Sequence, residues 1–340
     1  KWALDLQLVH SDIDEISGQG AILDLSYSGG SRFQHFLKFD YFDENVEIND
    51  LGFLRRNDYS GLQYAFRYAG KSSADGFVRA NRGAVTVQQQ YNISQGQVVD
   101  SGIYWRNTLE VPGRNTIRTA LAWLPRHYDD IDSRGNGAYQ TEDRIWWNVL
   151  WATDASKMFS WSFGAGGIQE DLGDWTGQYS IGVTARPISS LMIKADITYK
   201  RRDGWLVYQS GNNFGAYNGI EWQPAIEMNW FMMPRHQLRF SMQWAGVKAG
   251  EQGFFEISAS GKLIPALRTR PDYDFTVSLL TAQLRYRWEI APLTDLYVVY
   301  NLGNRLPSLH EDDFSSLFED AFDDPIVESF VVKLRYRFGN

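Results

Sequence analysis

Apolar and polar residues alternate along most of this chain. In the closing stretch "SFVVKLRYRFGN", Phe330, Val332, Leu334, Tyr336 and Phe338 take every second place, and Lys333, Arg335 and Arg337 fill the places between. Successive side chains of a strand point to opposite faces, so this segment predicts a strand with one apolar-aromatic face and one cationic face. The same period runs through "WALDLQL" near the start, where Trp2, Leu4, Leu6 and Leu8 alternate with Asp5 and Gln7. It recurs in "LMIKADITYK", where Leu191, Ile193, Ala195, Ile197 and Tyr199 alternate with Lys194, Asp196 and Thr198. Helical spacing of apolar residues is found only in "DFSSLFEDAF", residues 313–322.

The connections between alternating segments are themselves ordered. Short ones fall at 28–31, 70–75, 112–115, 154–156, 187–190, 234–235 and 291–294. Long ones fall near 11–19, 44–57, 92–101, 128–141, 169–174, 209–214, 249–272 and 305–326. Tight turns at one end and long loops at the other predict an all-β fold, a closed antiparallel transmembrane β-barrel of about 16 strands. The whole of 1–340 is then one domain, with short periplasmic turns, long extracellular loops and both termini periplasmic. A soluble β-sandwich also alternates, but it does not need so many large aromatic residues on the alternating face.

Composition sharpens this picture. With 13 Trp, 18 Tyr and 20 Phe, the aromatic share is 15%, while the chain has no stretch long and apolar enough for a membrane helix. The absence of cysteine excludes disulfides, thiolate metal sites and thiol catalysis. The formal charge of −8 is concentrated between Leu306 and Glu328, which hold eight acids and no Lys or Arg; removing that segment leaves the rest neutral. This balance does not suggest nucleic acid as a partner. The opening "KWALDLQLVH" is already strand-like and has no signal peptide, as expected of a processed form or an excised piece.

Two resemblances add to this reading. The last strand, with its alternating aromatics, resembles the terminal strand of outer-membrane proteins that the barrel assembly machinery reads. Here Phe338 is followed by Gly339 and Asn340, whereas the usual pattern places the aromatic last. "VEINDLGFLRRNDYSGLQYAFRY" (Val46–Tyr68) and "LTDLYVVYNLGNRL" (Leu293–Leu306) resemble the barrel portion of a poorly characterised family of large bacterial outer-membrane proteins. That resemblance implies an N-terminal carbohydrate-binding-like β-sandwich, which this chain does not contain.

Candidate sites follow from the strand faces. Asp5, Arg285, Arg287, Lys333, Arg335 and Arg337 fall on faces predicted to line the lumen. The basic rows either select anions or acidic sugars or pair with inward Asp5, Asp24, Asp40 or Glu289; pairing is the expectation. "NDLGFLRRND" (Asn49–Asp58) carries Phe53 and Leu54 in a loop that should be wet. It is expected to fold into the lumen, with Arg55 or Arg56 pairing Asp50 or Asp58. His10, His35, His127, His236 and His310 are far apart and show no metal-ligand spacing. In the acidic loop, Leu309, Phe314, Leu317, Phe318 and Phe322 predict a short helix packed on the barrel rim or mouth. Its acids invite a divalent-cation reading, but their spacing is not that of an EF-hand.

The expected function is a non-enzymatic barrel, without cofactor or metal, that passes or binds a small polar or saccharide ligand. The alternative is an occluded membrane anchor that holds or exports a soluble domain. Lipid and lipopolysaccharide of the outer membrane are the expected surroundings.

Overall fold

The computed structural model describes the chain except residues 49–55, 71, 72, 74, 268–272, 307–312, 324 and 338–340. Strands β1 (Trp2–Ile13), β2 (Ile16–Gly29), β3 (Phe33–Phe42), β4 (Tyr59–Ala69), β5 (Ala80–Asn92), β6 (Gln97–Val111) and β7 (Asn115–Leu124) form an antiparallel meander. A small hairpin of β8 (Tyr128–Asp129) and β9 (Tyr139–Gln140) interrupts it. The meander resumes with β10 (Arg144–Ala152) against β7, then β11 (Phe159–Gln169), β12 (Trp175–Ile188), β13 (Leu191–Ser210), β14 (Asn213–Met233) and β15 (His236–Ile257). The three-residue β16 (Leu263–Pro265) pairs with the end of β15. Then β17 (Phe275–Ala291), β18 (Thr294–Leu306) and β19 (Val327–Arg335) complete the run, with α1 (Phe314–Asp323) between the last two. Leaving out the short β8, β9 and β16, 16 long strands run in one sheet through the described residues.

Register carries the sequence alternation from strand to strand. One face holds rows such as Leu6–Leu23–Phe39–Leu62 and Ala195–Ile226–Met242–Ala282–Leu302. The other holds rows such as Asp24–Lys38–Gln63–Gln88. The apolar face is the exposed one: Leu4 is 67% accessible, Leu62 53% and Phe330 68%. On the polar face Glu221 is 5% accessible and Asp295 0%. The polar face is therefore the concave one. That inside-out distribution suits a bilayer and would be unstable in water.

Aromatic side chains gather at two levels of the apolar face. Near the short turns, Trp2 meets Tyr27 at 4.5 Å between ring centroids, and His35 meets Phe66 at 5.0 Å. In the same belt His236 stacks on Trp288 at 5.7 Å and accepts or donates a hydrogen bond at Tyr286 Oη, 2.6 Å away. Farther along the strands lie Trp123, Tyr179 and the Tyr199–Trp222 pair at 4.7 Å. Amphipathic rings at two levels are the girdles of a membrane barrel.

The structure corrects three expectations. First, several long connections are short. Asp14 and Glu15, both at positive φ (52° and 68°), alone join β1 to β2, and Gly211 and Asn212 alone join β13 to β14. Two positive-φ residues make the turn whose twist matches that of the flanking strands. The expected loop residues continue the strands instead, which reach 20 to 22 residues in β13, β14 and β15.

Second, the sheet is not closed. No ladder joins β19 to β1 among the described residues, and β1 is exposed along nearly its whole length. Both edge strands are paired on one side only.

Third, α1 lies on neither rim nor mouth. Leu317 and Ala321 are fully buried against Trp244 and Leu280, with Met242, Trp222 and Leu302 around them. By register those residues belong to the convex apolar face. Two polar residues on that face fasten the helix: Ser278 Oγ accepts from Trp244 Nε1 (3.0 Å) and donates to Leu317 O (2.7 Å), and Asn304 Nδ2 donates to Ala321 O (3.1 Å). Glu319, Asp320 and Asp323 point outward and are exposed.

The face assignment of β19 can be tested directly. Leu334→Arg places a charge on the apolar face and should cost about 2–4 kcal/mol toward the bilayer centre, less near an interface. Lys333→Leu changes only the concave face. The fraction of refolded protein that migrates as the heat-resistant form should fall for Leu334→Arg and stay near wild type for Lys333→Leu.

Candidate functional site in the lumen

The concave face has two electrostatically different walls. On the wall formed by β10 to β19, five concave-face cations are matched by acids. Glu221 on β14 accepts from Lys200 Nζ (3.0 Å) and from Arg202 Nη2 (2.8 Å), and Gln223 bonds the same carboxylate. Lys194 pairs with Asp196 at 2.7 Å. Asp295, at the start of β18, holds Arg287 at 2.7 Å and also pairs with Arg335 of β19. Arg287 reaches Glu289 as well, at 3.7 Å.

This geometry resolves the basic rows. Arg287 and Arg335 are tied to the wall, as the pairing expectation held, but their shared partner is Asp295, which the sequence reading did not name. Arg285 instead lies 6.0 Å from the Tyr297 ring centroid, without an ion pair to any described residue. Lys333 and Arg337 also have none, and Arg337 lies past the last ladder pair. Asp5 is exposed on the edge strand directly opposite Asp24, away from the arginines it was expected to meet.

At the end opposite the short turns, two connections meet. Arg56, just before β4, pairs with Asp130, which belongs to the connection between β7 and β10. Beneath them a cavity of 300 Å³ is lined by Arg56, Tyr59, Gln90, Asp100 and His127. Tyr59, Gln90 and Asp100 are concave-face residues, so Arg56 sits over the concave face. The expected partner Asp58 instead accepts from the Ser94 amide (3.0 Å) and hydroxyl (2.9 Å). Asp50, Phe53 and Arg55 lie outside the described residues. Nearby, Arg144 pairs with Asp171, and Tyr139 donates to the same carboxylate at 3.0 Å. Burial first, then the carboxylates of Asp171, Asp129 and Asp132, pushes the Tyr139 phenol far up, so it stays a neutral donor.

The wall formed by β4 to β7 is different, and the sequence reading missed it. Arg67, Arg82, Arg106 and Arg118 stand one per strand on the concave face. None forms an ion pair or side-chain hydrogen bond with a described residue, and all four are exposed. Arg67 lies over the Phe36 ring at 4.6 Å and Arg106 near the Tyr104 ring at 5.8 Å. A cavity of 310 Å³ opens there, lined by Arg32, Gln34, Arg67, Arg82, Arg106 and Thr108 among others. Each arginine occupies an ordinary polar place in its strand, so no local motif marks it; only the register of four hairpins brings the set together.

A strand meander with an apolar convex face, aromatic girdles and an ionic concave face defines the outer-membrane β-barrel class of fold. The chain matches the family described as "Domain of unknown function (DUF5916)" over residues 5–338, and it belongs to that family. No curated protein matches it. Among solved structures, the FrpB iron transporter from Neisseria meningitidis (F3-3 variant) aligns with a TM-score of 0.45 and 9% identity, covering 100% of this chain and 67% of that one. OmpT (in-vitro folded), an outer membrane protein of Vibrio cholerae, aligns with a TM-score of 0.36 and 10% identity, covering 98% and 95%.

Asp295 is the keystone of the matched wall, and its loss should be felt by both partners. Asp295→Ala removes the acid that Arg287 and Arg335 share, leaving only Glu289 near Arg287, and should lower the thermal midpoint. Adding Arg335→Leu to it should recover part of the loss, giving a non-additive double-mutant cycle. Additive losses would mean that the three side chains do not act together.

Proposed function

We propose that this chain is a bacterial outer-membrane barrel whose charged lumen passes or binds a small polar or saccharide solute. One observation carries the reading: large apolar side chains are exposed on the convex face, while the ionic ones gather on the concave face, where Glu221 and Asp295 are buried. No helix among the described residues is long and apolar enough to cross a membrane, which leaves the strands as the spanning elements. In hydrocarbon, the unpaired N–H and C=O groups of β1 and β19 have no water to bond, at several kcal/mol per group. Insertion therefore drives the two edges together, closing the barrel in the bilayer. The short turns and both termini then face the periplasm, and the convex face meets outer-membrane lipid and lipopolysaccharide. The last strand engages the barrel assembly machinery, and no catalysis is assigned to the lumen.

A specific observation also favours the occluded-anchor reading. The Arg56–Asp130 pair joins the β3–β4 and β7–β10 connections over the lumen, as a constriction or plug would. Planar-bilayer conductance separates the two: stepwise currents support a pore, and their absence supports an anchor. Arg56→Ala should then raise the single-channel conductance if the tie constricts an open pore.

Closure is testable because the protein has no native cysteine. A cysteine replacing concave-face Gln7 should cross-link to one at Val331, Lys333 or Arg335 in outer membranes. Failure of all three pairs, in protein that migrates as folded, would exclude a β1–β19 seam.

A further inference from the structure

The unmatched wall sets the kind of solute the lumen holds. Register places Arg67 beside Ala84, Ala84 beside Arg106, and Arg106 beside Ala120 in one transverse row. The adjacent row, nearer the short turns, runs Ala69, Arg82, Thr108 and Arg118. The arginines thus alternate between two rows across four neighbouring strands, with a small residue or threonine at every intervening place. Diagonal neighbours in such a lattice stand about 7–8 Å apart. The small residues leave open the 310 Å³ cavity beside Arg67, Arg82 and Arg106, which Arg32 also lines; Arg118 stands next along the row, beyond Thr108.

Four cations this close repel one another unless something offsets them. On the opposite wall carboxylates do so for Lys194, Lys200, Arg202, Arg287 and Arg335; here no described carboxylate pairs with any of the four. The concave-face acid nearest by register is Glu110; Asp154, two rows past Arg118 at the short turn, lies 4.0 Å from Arg114, and Asp24 and Asp100 lie two or more rows away. Glu110 lies one row beyond Arg82 and Arg118 and forms no ion pair with a described residue, and Asp100 accepts from Gln88 Nε2 at 2.9 Å. Lys38 is engaged with Asp40 at 3.2 Å. Phe36 and Tyr104 support two of the guanidinium groups by their ring faces, which leaves the N–H edges directed at the lumen. A planar fork of donors with no protein acceptor is matched by a carboxylate, sulfate or phosphate oxygen pair.

We propose that Arg67, Arg82, Arg106 and Arg118 form a binding ladder for an oligoanion that carries two or more such groups spaced along its length. An acidic oligosaccharide fits this class, and so does a polyphosphorylated small solute. The assignment rests on the lumen reading above and adds the charge and spacing of the ligand to it. The sequence reading weighed anion recognition only for the rows from Arg285 to Arg337, where pairing was the expectation, and two of those arginines are paired with Asp295.

The test uses the full chain refolded in detergent micelles, with hydroxypyrene trisulfonate as a fluorescent trianion and anisotropy as the readout. Wild type should bind the probe, more weakly as salt rises. Each Arg→Gln should weaken binding about tenfold, the loss of one charge-assisted bond. Arg67→Gln with Arg106→Gln should weaken it about a hundredfold. Arg201→Gln, an exposed residue on the convex face, should bind as wild type. Heat-resistant migration of each variant verifies folding. Competition by trigalacturonate or by inositol hexakisphosphate distinguishes a carboxylate from a phosphate ligand, while neutral maltotriose should not compete. Binding that is unchanged in the double variant, or equal competition by maltotriose, overturns the ladder. Vesicles loaded with raffinose separate the two levels of the argument. If they leak through the protein but the trianion does not bind, the ladder fails and the lumen reading stands. If neither passage nor binding is seen, both fail.

Discussion

The interaction on which everything else depends is the inter-strand hydrogen-bond ladder held in constant register. Every side chain's address, convex or concave, is set by counting along a strand, and one slipped residue would exchange the two faces of that strand. The register runs without interruption through the apolar rows from β1 to β4 and from β13 to β18. Irregularities fall toward both strand ends: at Arg202/Trp205 in β13 and Ala216/Tyr217 in β14, remote from the short turns, and at Ala185/Ile188, Phe231/Met233 and Glu289/Ala291 beside them. Slippage is tolerated where water or covering loops can satisfy either face, and absent where hydrocarbon admits only one.

The same ladder makes the lumen a place where charge is cheap to keep and easy to arrange. A concave face lined by polar groups retains water, so an arginine there does not carry the desolvation cost of a buried ion. That allows two solutions on one sheet. Between β13 and β19, Lys200, Arg202, Arg287 and Arg335 are paired by Glu221 and Asp295, which stiffens that part of the wall and reduces its field. Between β4 and β7, arginines are propped by Phe36 and Tyr104 and keep their positive field in the lumen.

Much of the fold was legible in the sequence, because a period of two is visible residue by residue. Phe330, Val332 and Leu334 face outward, as their alternation with Lys333 and Arg335 requires. Loop lengths were misread where polar residues continue a strand beyond the apolar band. "HSDIDEISGQ" looks like a loop by composition, yet Asp14 and Glu15 alone make the turn. The candidate site was legible only in part. Arg287 and Arg335 stand out within dense basic runs, and such runs are where compensating acids collect. Arg67, Arg82, Arg106 and Arg118 are separated by 12 to 24 residues of chain, so their proximity is a property of four registers together.

Helix α1 shows how a departure from the pattern can be read once its cause is known. Ser278 and Asn304 are polar residues at apolar-face positions, which in a bare barrel would place a hydroxyl and an amide against lipid. They are tolerated because α1 covers them and supplies backbone carbonyls as acceptors, at Leu317 and Ala321. Trp244 completes the device by giving its indole N–H to Ser278, so that its polar edge is satisfied while its ring packs under Leu317. Trp244 stands eight positions from His236 at the short turn, close to the ~9–11 residues that a tilted strand needs to cross the bilayer. The helix therefore lies at the far interface of the apolar band. Its apolar side replaces lipid as the cover of the wall, and its exposed acids remain in the aqueous headgroup layer.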